Sequence, residues 1–283
     1  MIRAIQALSI SSACSEQSFS QPKRVHSQRS IPKLVFLLAY AALALTCHAN
    51  DQPTEGLSDR IIGDIGAATY TTNLHIGTEG TQSLVLPYAF FDYQRFFVRI
   101  DEFGIKTFKI GYGYLEVIGK VNLDTYKIKS PINGNVINRS DPIPLGIGTF
   151  QETPIGGIFI NAYHDFAKSK GALFEFLYFA EIETNKKIVI YPQVGIERQS
   201  AQYANYYYGI SSGESIATGY STYNAVATNN LLAGAMIEVP VVDNWYVNIY
   251  GKRKWMGSSI NNSPVLNRPF QDTIIATLAY RFK

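Results

Sequence analysis

The chain has 283 residues, 46% of them hydrophobic and 17% charged, with a formal net charge of +3. The excess of positive charge sits in residues 1–49, where Arg3, Lys23, Arg24, Arg29 and Lys33 stand against Glu16 alone; beyond them 20 basic residues face 21 acidic ones. A near-neutral remainder offers no electrostatic footing for nucleic acid. Cys14 and Cys47 lie in the same leading stretch, so residues 50–283 contain no cysteine and admit neither a disulfide nor thiol chemistry.

The leading stretch reads as an export signal. An apolar run of 13 residues, LVFLLAYAALALT, follows Arg24, Arg29 and Lys33 and precedes Cys47-His48-Ala49. Basic flank, short apolar core and a small residue before the break predict a signal peptide over 1–49, with an extended polar n-region and cleavage after Ala49. The run is short of the roughly 20 residues that a membrane-spanning helix needs. A lipoprotein reading would use Cys47, but Ala44-Leu45-Thr46 fits a lipobox poorly. Residues 50–62 are then a short periplasmic segment, and 63–283 one domain of about the usual size.

That domain shows alternation of period two rather than helical periodicity. Leu115, Val117, Val121 and Leu123 oppose Glu116, Lys120, Asn122 and Asp124. Phe174, Phe176, Tyr178, Ala180 and Ile182 oppose Glu175, Glu181 and Glu183. Ile188, Ile190, Val194 and Ile196 oppose Gln193 and Glu197, and Trp245, Val247, Ile249 and Trp255 oppose Asn248, Lys252 and Lys254. At the chain end, Ile274, Ala276, Leu278, Tyr280 and Phe282 share one face, and Thr273, Thr277 and Arg281 share the other. Segments of about 9–12 residues, apolar on one side and polar on the other, fit tilted strands crossing a bilayer. Aromatics at segment ends (Tyr88, Phe90, Tyr93, Phe96, Phe97, Tyr163, Phe166, Trp245, Trp255) fit interfacial girdles.

These segments predict an all-β fold, a transmembrane antiparallel β-barrel of about 10 to 12 strands. Ten strands are expected near 63–74, 83–93, 95–101, 112–125, 156–166, 171–183, 187–199, 229–240, 244–255 and 272–282, with 104–110 a possible eleventh. An even number is the rule in bacterial barrels. Counting back from a periplasmic C-terminus puts the long connections 200–228 and 256–271 outside the cell. The same count puts 127–155, with its Asp141-Pro142-Ile143-Pro144 core, in the periplasm, where so long a loop is unusual: either it is a docking element or the strand count is wrong. Lipid-facing Ile249, Ile274 and Leu278 should not tolerate arginine, whereas lumen-facing Asn248 and Thr277 should, given water or countercharge.

Catalytic chemistry is hard to find. Only His75 and His164 lie beyond residue 49. No Cys/His cluster, HExxH, GxSxG, phosphate-binding or dinucleotide-binding motif occurs. His164 is followed by Asp165, but neighbours on a strand point to opposite faces and cannot pair. No catalytic, cofactor-binding or metal-binding residues are therefore assigned.

The run from Tyr206 to Ala225, YYYGISSGESIATGYSTYNA, carries a motif in Tyr207, Tyr208, Gly209, Ile210 and Tyr223, and Ser263, Pro264 and Val265 carry a second. With Pro87-Tyr88 and Tyr93 near the start and Leu278 to Phe282 at the end, this ordered set resembles the MipA/OmpV family, the MltA-interacting proteins of Gram-negative outer membranes. Tyr208 and Ile210 stand where the family usually has Phe and Val. The resemblance implies an outer-membrane barrel tied to cell-wall synthesis, a scaffold bridging a lytic transglycosylase and a penicillin-binding protein, with links to adhesion in other members. It implies no catalytic set; the motif residues read as structural, with Gly209 expected at positive φ and Pro264 fixing a turn. The closing aromatics Tyr280 and Phe282 suit recognition by the barrel-assembly machinery, although Lys283 follows them. The alternatives are a small pore lined by mixed charges and a surface adhesin using the Tyr-rich run 203–223.

Overall fold

The computed structural model describes residues 57–283 apart from 74–75, 78–79, 124–125, 141–142 and 185–186. The signal peptide expected at 1–49, most of the 50–62 segment, His75, Asp141, Pro142 and the Asn185 turn lie outside the described residues. The strands in chain order are β1 (Ile62–Asn73), β2 (Thr81–Tyr93), β3 (Phe96–Arg99), β4 (Glu102–Ile110), β5 (Gly113–Lys120), β6 (Tyr126–Lys129), β7 (Val136–Arg139), β8 (Leu145–Thr153), β9 (Gly156–His164), β10 (Ala172–Ala180), β11 (Ile182–Glu183), β12 (Val189–Gln199), β13 (Thr228–Val242), β14 (Trp245–Trp255) and β15 (Phe270–Phe282). Twelve of them close an antiparallel barrel in the order β1-β2-β3-β4-β5-β8-β9-β10-β12-β13-β14-β15, with β15 returning to β1. β6 and β7 form a separate hairpin, and β11 continues the pairing of β10 along β12.

The expected facing holds along β15. Ile274, Ala276, Leu278 and Phe282 are exposed on the outer wall, while Gln271, Thr273, Ile275, Thr277, Ala279 and Arg281 are buried in the lumen. The lumen is not wet at this level, however. Thr277 is 7% exposed and Asn248 1%, so an arginine at either would meet packed side chains rather than water. Their expected tolerance is therefore withdrawn: overpacking a filled core is itself destabilising.

The girdle expectation divides between the two faces. Phe96, Phe166, Trp245 and Trp255 are exposed, but Tyr88, Phe97 and Tyr163 are buried inside. The reason is the period of two: Phe97 follows Phe96 and so enters the lumen.

Two strands complete the count from ten to twelve. One is β4, over the suspected 104–110 segment. The other, β8, falls inside the expected 127–155 loop. β8 presents Leu145 and Ile147 outward and Gly146 and Gly148 toward its neighbours. A Cβ at Gly148 would lie 2.2 Å from Asn161 Oδ1, and one at Gly146 2.0 Å from the Ala162 carbonyl oxygen. Glycine is required there by close approach, and it erases the alternation that marks other strands.

With β8 in place, the connection 121–144 moves to the other end of the barrel. Connections 94–95, 111–112, 154–155, 181–188 and 243–244 gather at the end carrying the C-terminus; 121–144, 200–227 and 256–269 gather at the opposite end. Short turns face the periplasm in such barrels and long loops face outward. The expectation of a long periplasmic loop at 127–155 is thus overturned.

Candidate functional site

The three long connections fold together over the outer mouth. Connection 200–227 contributes α1 (Ala201–Tyr208) and α2 (Ser212–Thr218), and 256–269 contributes α3 (Ser258–Asn261). Sequence chemistry starts both longer helices. Ser200 caps α1 by accepting from the Tyr203 N–H, and Ser211 and Glu214 form a reciprocal capping box on α2.

The β6–β7 hairpin grips what these helices leave unpaired. Asn133 Nδ2 and Asn135 Nδ2 each donate to the Ala217 carbonyl at 2.8 Å, and Ser130 Oγ donates to that of Thr218 at 2.6 Å, serving carbonyls at the end of α2. Arg139 on β7 donates to Glu214 and, at 3.0 Å, to the Gly209 carbonyl. Partial burial raises the Glu214 carboxyl, but bonds from Arg139 and from the Ser211 N–H and hydroxyl outweigh it and hold the pKa at about 2.

The structure brings the two family-type motifs together in this lid. Tyr207, Tyr208, Ile210 and Val265 are buried in one apolar cluster with Ile128, Ala204, Met256 and Ile260. Ser263 Oγ donates to the Tyr208 carbonyl at 2.6 Å, and the Val265 carbonyl accepts from the Gly77 N–H at 2.7 Å. Ile210 and Tyr223 exchange backbone bonds, and the Tyr223 hydroxyl donates to the Ser259 carbonyl at 2.6 Å. Pro264 lies in the turn after α3. Gly209 departs from expectation: its φ is −78°, so no left-handed turn calls for it. Space does, because a Cβ there would lie 2.2 Å from Asn205 Oδ1. Tyr280 and Phe282 lie far from the lid, at the short-turn end, where the Tyr280 ring packs on Trp245 and Phe282.

The lid cluster continues into the lumen through Phe97, Ile118, Tyr163 and Leu173. Below it, five of the lumen charges expected from sequence, Glu116, Lys120, Glu175, Glu197 and Lys254, lie in ion pairs. Arg99 bonds Glu116 at 2.7 and 2.8 Å, Lys120 bonds Glu175 at 2.8 and 2.9 Å, and Lys254 lies 3.6 Å from Glu197. Among the pairing residues that escaped the sequence reading, Arg99 closes one end of a short strand, Asp64 looks like a turn residue beside Gly63, and Glu238 lies unmarked in the 229–240 segment. Within the lid, Arg139, Asn205, Tyr206, Ser211, Glu214 and Tyr223 help line an open cleft of about 690 Å³. His164 stacks edge-on against Phe166, and Asp165 accepts from the N–H groups of Ala167, Lys168 and Ser169, so the two do not act as a couple. Among the described residues no group of three or more His, Cys, Asp or Glu could hold a metal ion.

The Glu214 anchor carries a pH dependence. Its folded pKa is depressed, so its contribution is complete above the ordinary carboxylate range and is lost as pH falls from about 4.5 toward 2. Hydrogen exchange at the α2 amides, corrected for intrinsic rates, should accelerate across that window. In Glu214→Gln the acceleration should vanish; an unchanged profile would place the acid sensitivity elsewhere.

Comparison with known proteins agrees with this architecture. The family model described as "MltA-interacting protein MipA" matches residues 65–282. Outer membrane protein Omp26La of Vibrio anguillarum is 27% identical over 172 residues, and outer membrane protein OmpV of Vibrio cholerae serotype O1 is likewise 27% identical over 172 residues. Each match covers 57% of this chain and 66% of the relative, so the chain spans just under two thirds of their length. The barrel is an outer-membrane protein, and the names of these relatives are not those of enzymes.

Proposed function

Because this chain belongs to the MltA-interacting protein (MipA) family, we propose that it is a non-enzymatic outer-membrane scaffold whose periplasmic end docks a murein-cleaving lytic transglycosylase. A penicillin-binding protein is the second partner in this reading, and the barrel-assembly machinery meets Tyr280 and Phe282 during insertion. Cleavage after Ala49 would leave 50–62 as a short segment on the same periplasmic side, and 63–283 as the barrel. The observation that supports docking at this end is the distribution of connections. The short-turn end faces the compartment in which such an enzyme works and exposes Tyr112, Ile155, Ile182 and Val242, whereas the apolar side chains exposed on the lid, Ile132 and Ile216 among them, face away from it. Such a rim offers apolar contact at the water boundary, where a periplasmic enzyme can reach it.

The test is capture of a purified MltA-type transglycosylase by the protein in detergent. Tyr112→Ser/Ile155→Ser/Ile182→Ser should weaken capture at least tenfold. Deletion of 130–139, in the outer hairpin, should leave it unchanged. Loss of capture on deleting the hairpin alone would put the site at the wrong end, and no capture by the parent protein would sink the scaffold reading. A pore is disfavoured by the paired lumen charges and the lid. The adhesin reading rests on the open cleft beside Tyr206 and Tyr223.

A further inference from the structure

The wall of the barrel is broken on one side. β2 runs for 13 residues, but β3 beside it has only 4 and pairs with Phe90 to Tyr93 alone. The chain then turns back at Ile100, φ 62°, whose N–H donates to the Ala89 carbonyl at 2.9 Å. In an antiparallel ladder, alternate residues direct both backbone groups to the same side. Ala89 faces β3, so Pro87, Val85 and Ser83 face the same way, past the tip of the short strand. Among the described residues, no backbone partner meets them there.

This break lies on the long-loop side of the β3 tip, hence in the outer-leaflet half of the wall. Its margins are apolar and open. Val85 is 81% exposed, against 51% for Leu278 on the continuous wall. Leu84 shares the inward face with Leu86 and Tyr88 yet is 43% exposed, which a closed wall would not allow. Behind the break, Leu86, Ile100 and Leu123 pack on Tyr70, Tyr88 and Ile275, continuing the apolar surface inward.

Free backbone groups are not tolerated against hydrocarbon, so something must serve this edge. We propose that one acyl chain of an outer-leaflet lipid enters the break between Leu84, Val85 and Leu123, with the lipid's ester and hydroxyl groups at the free edge of β2. The apolar margin is continuous with the lipid-facing belt through Phe103 and Ile105. Ester carbonyls can accept from the Ser83 and Val85 N–H groups, and lipid hydroxyls can donate to the carbonyls of Ser83, Val85 and Pro87. A strand from a second copy fits less well. Strands tilt by about 35–45° in such barrels, so the edges of two upright barrels would cross at roughly 80°. Pro87 also has no N–H to give.

Residues 50–283 contain no cysteine, so single cysteines can report on the break. Leu84→Cys, Leu278→Cys and Lys252→Cys would each carry bimane in vesicles of dioleoylphosphatidylcholine and dioleoylphosphatidylglycerol, the latter supplying lipid hydroxyls, with doxyl-labelled phosphatidylcholine added. Lys252 faces inward behind a wall paired on both sides. Quenching at Leu84 should match that at lipid-facing Leu278 and exceed that at Lys252 at least fivefold. Quenching at Leu84 as weak as at Lys252, or by aqueous iodide in place of the doxyl lipid, would overturn the proposal. So would an interchain disulfide in Val85→Cys, which would show a second copy on the edge.

Discussion

Arg281→Met is expected to destabilise the assembled barrel by about 3–5 kcal/mol, the usual cost of stranding buried charges by removing their partner. Arg281 on β15 is buried in the lumen and bonds two carboxylates. Its Nε and Nη2 donate to Asp64 at 2.7 Å each, and its Nη1 and Nη2 donate to Glu238 at 2.8 and 2.6 Å. The guanidinium also lies 3.8 Å from the centre of the Tyr246 ring. Asp64 is on β1, so the bond to it crosses the seam where the last strand meets the first. Methionine keeps much of the volume but leaves Asp64 and Glu238 charged, buried and close together. Urea titration of the folded fraction in liposomes reads the loss. A companion variant in which Asp64→Leu and Glu238→Leu accompany Arg281→Met should recover most of it, because an apolar replacement removes the stranded charges. A loss below about 1 kcal/mol in the single variant would mean that water reaches the site and serves the carboxylates.

Arg281 also shows what could be read in the sequence. Its place opposite Ile274, Leu278 and Phe282 fixes it to the lumen, and that parity holds in the structure. The same rule correctly places Glu116, Lys120, Glu175, Glu197 and Lys254 inside. Parity gives facing, but not partners: Asp64 lies 217 residues from Arg281, and Arg99 sits on a four-residue strand too short to show alternation, so no local pattern announces either. The largest error has one local cause. Gly146 and Gly148 mask β8, and one missed strand reverses the side assigned to the preceding connection. The family-type motifs were legible as residues but not as a site. Tyr208 and Ser263 meet only because two loops from different hairpins close over the same mouth. Gly209 was misread in kind, since crowding by Asn205 and positive φ leave the same letter in a sequence.

Arginine scanning along the outer face of β15 should give a cost that depends on depth. Ile274 and Leu278 flank the middle of a 13-residue strand and are exposed on the lipid side. Arginine at either should cost about 2–4 kcal/mol, because the guanidinium must be dehydrated or dragged toward an interface. At Phe282, near the periplasmic boundary, the cost should fall to about 0–1 kcal/mol, since the side chain reaches water without leaving the wall. Inward positions cannot serve as the permissive control, because Thr277 and Asn248 are packed and arginine there is costly for steric reasons. The shape of the profile carries the test instead. A strand on the surface of a soluble sheet would tolerate all three substitutions about equally, as exposed sites away from special features usually do. Urea titration in liposomes for Ile274→Arg, Leu278→Arg and Phe282→Arg distinguishes the cases: two costly positions and one cheap one place β15 across the bilayer, and a flat series means that its outer face does not meet lipid.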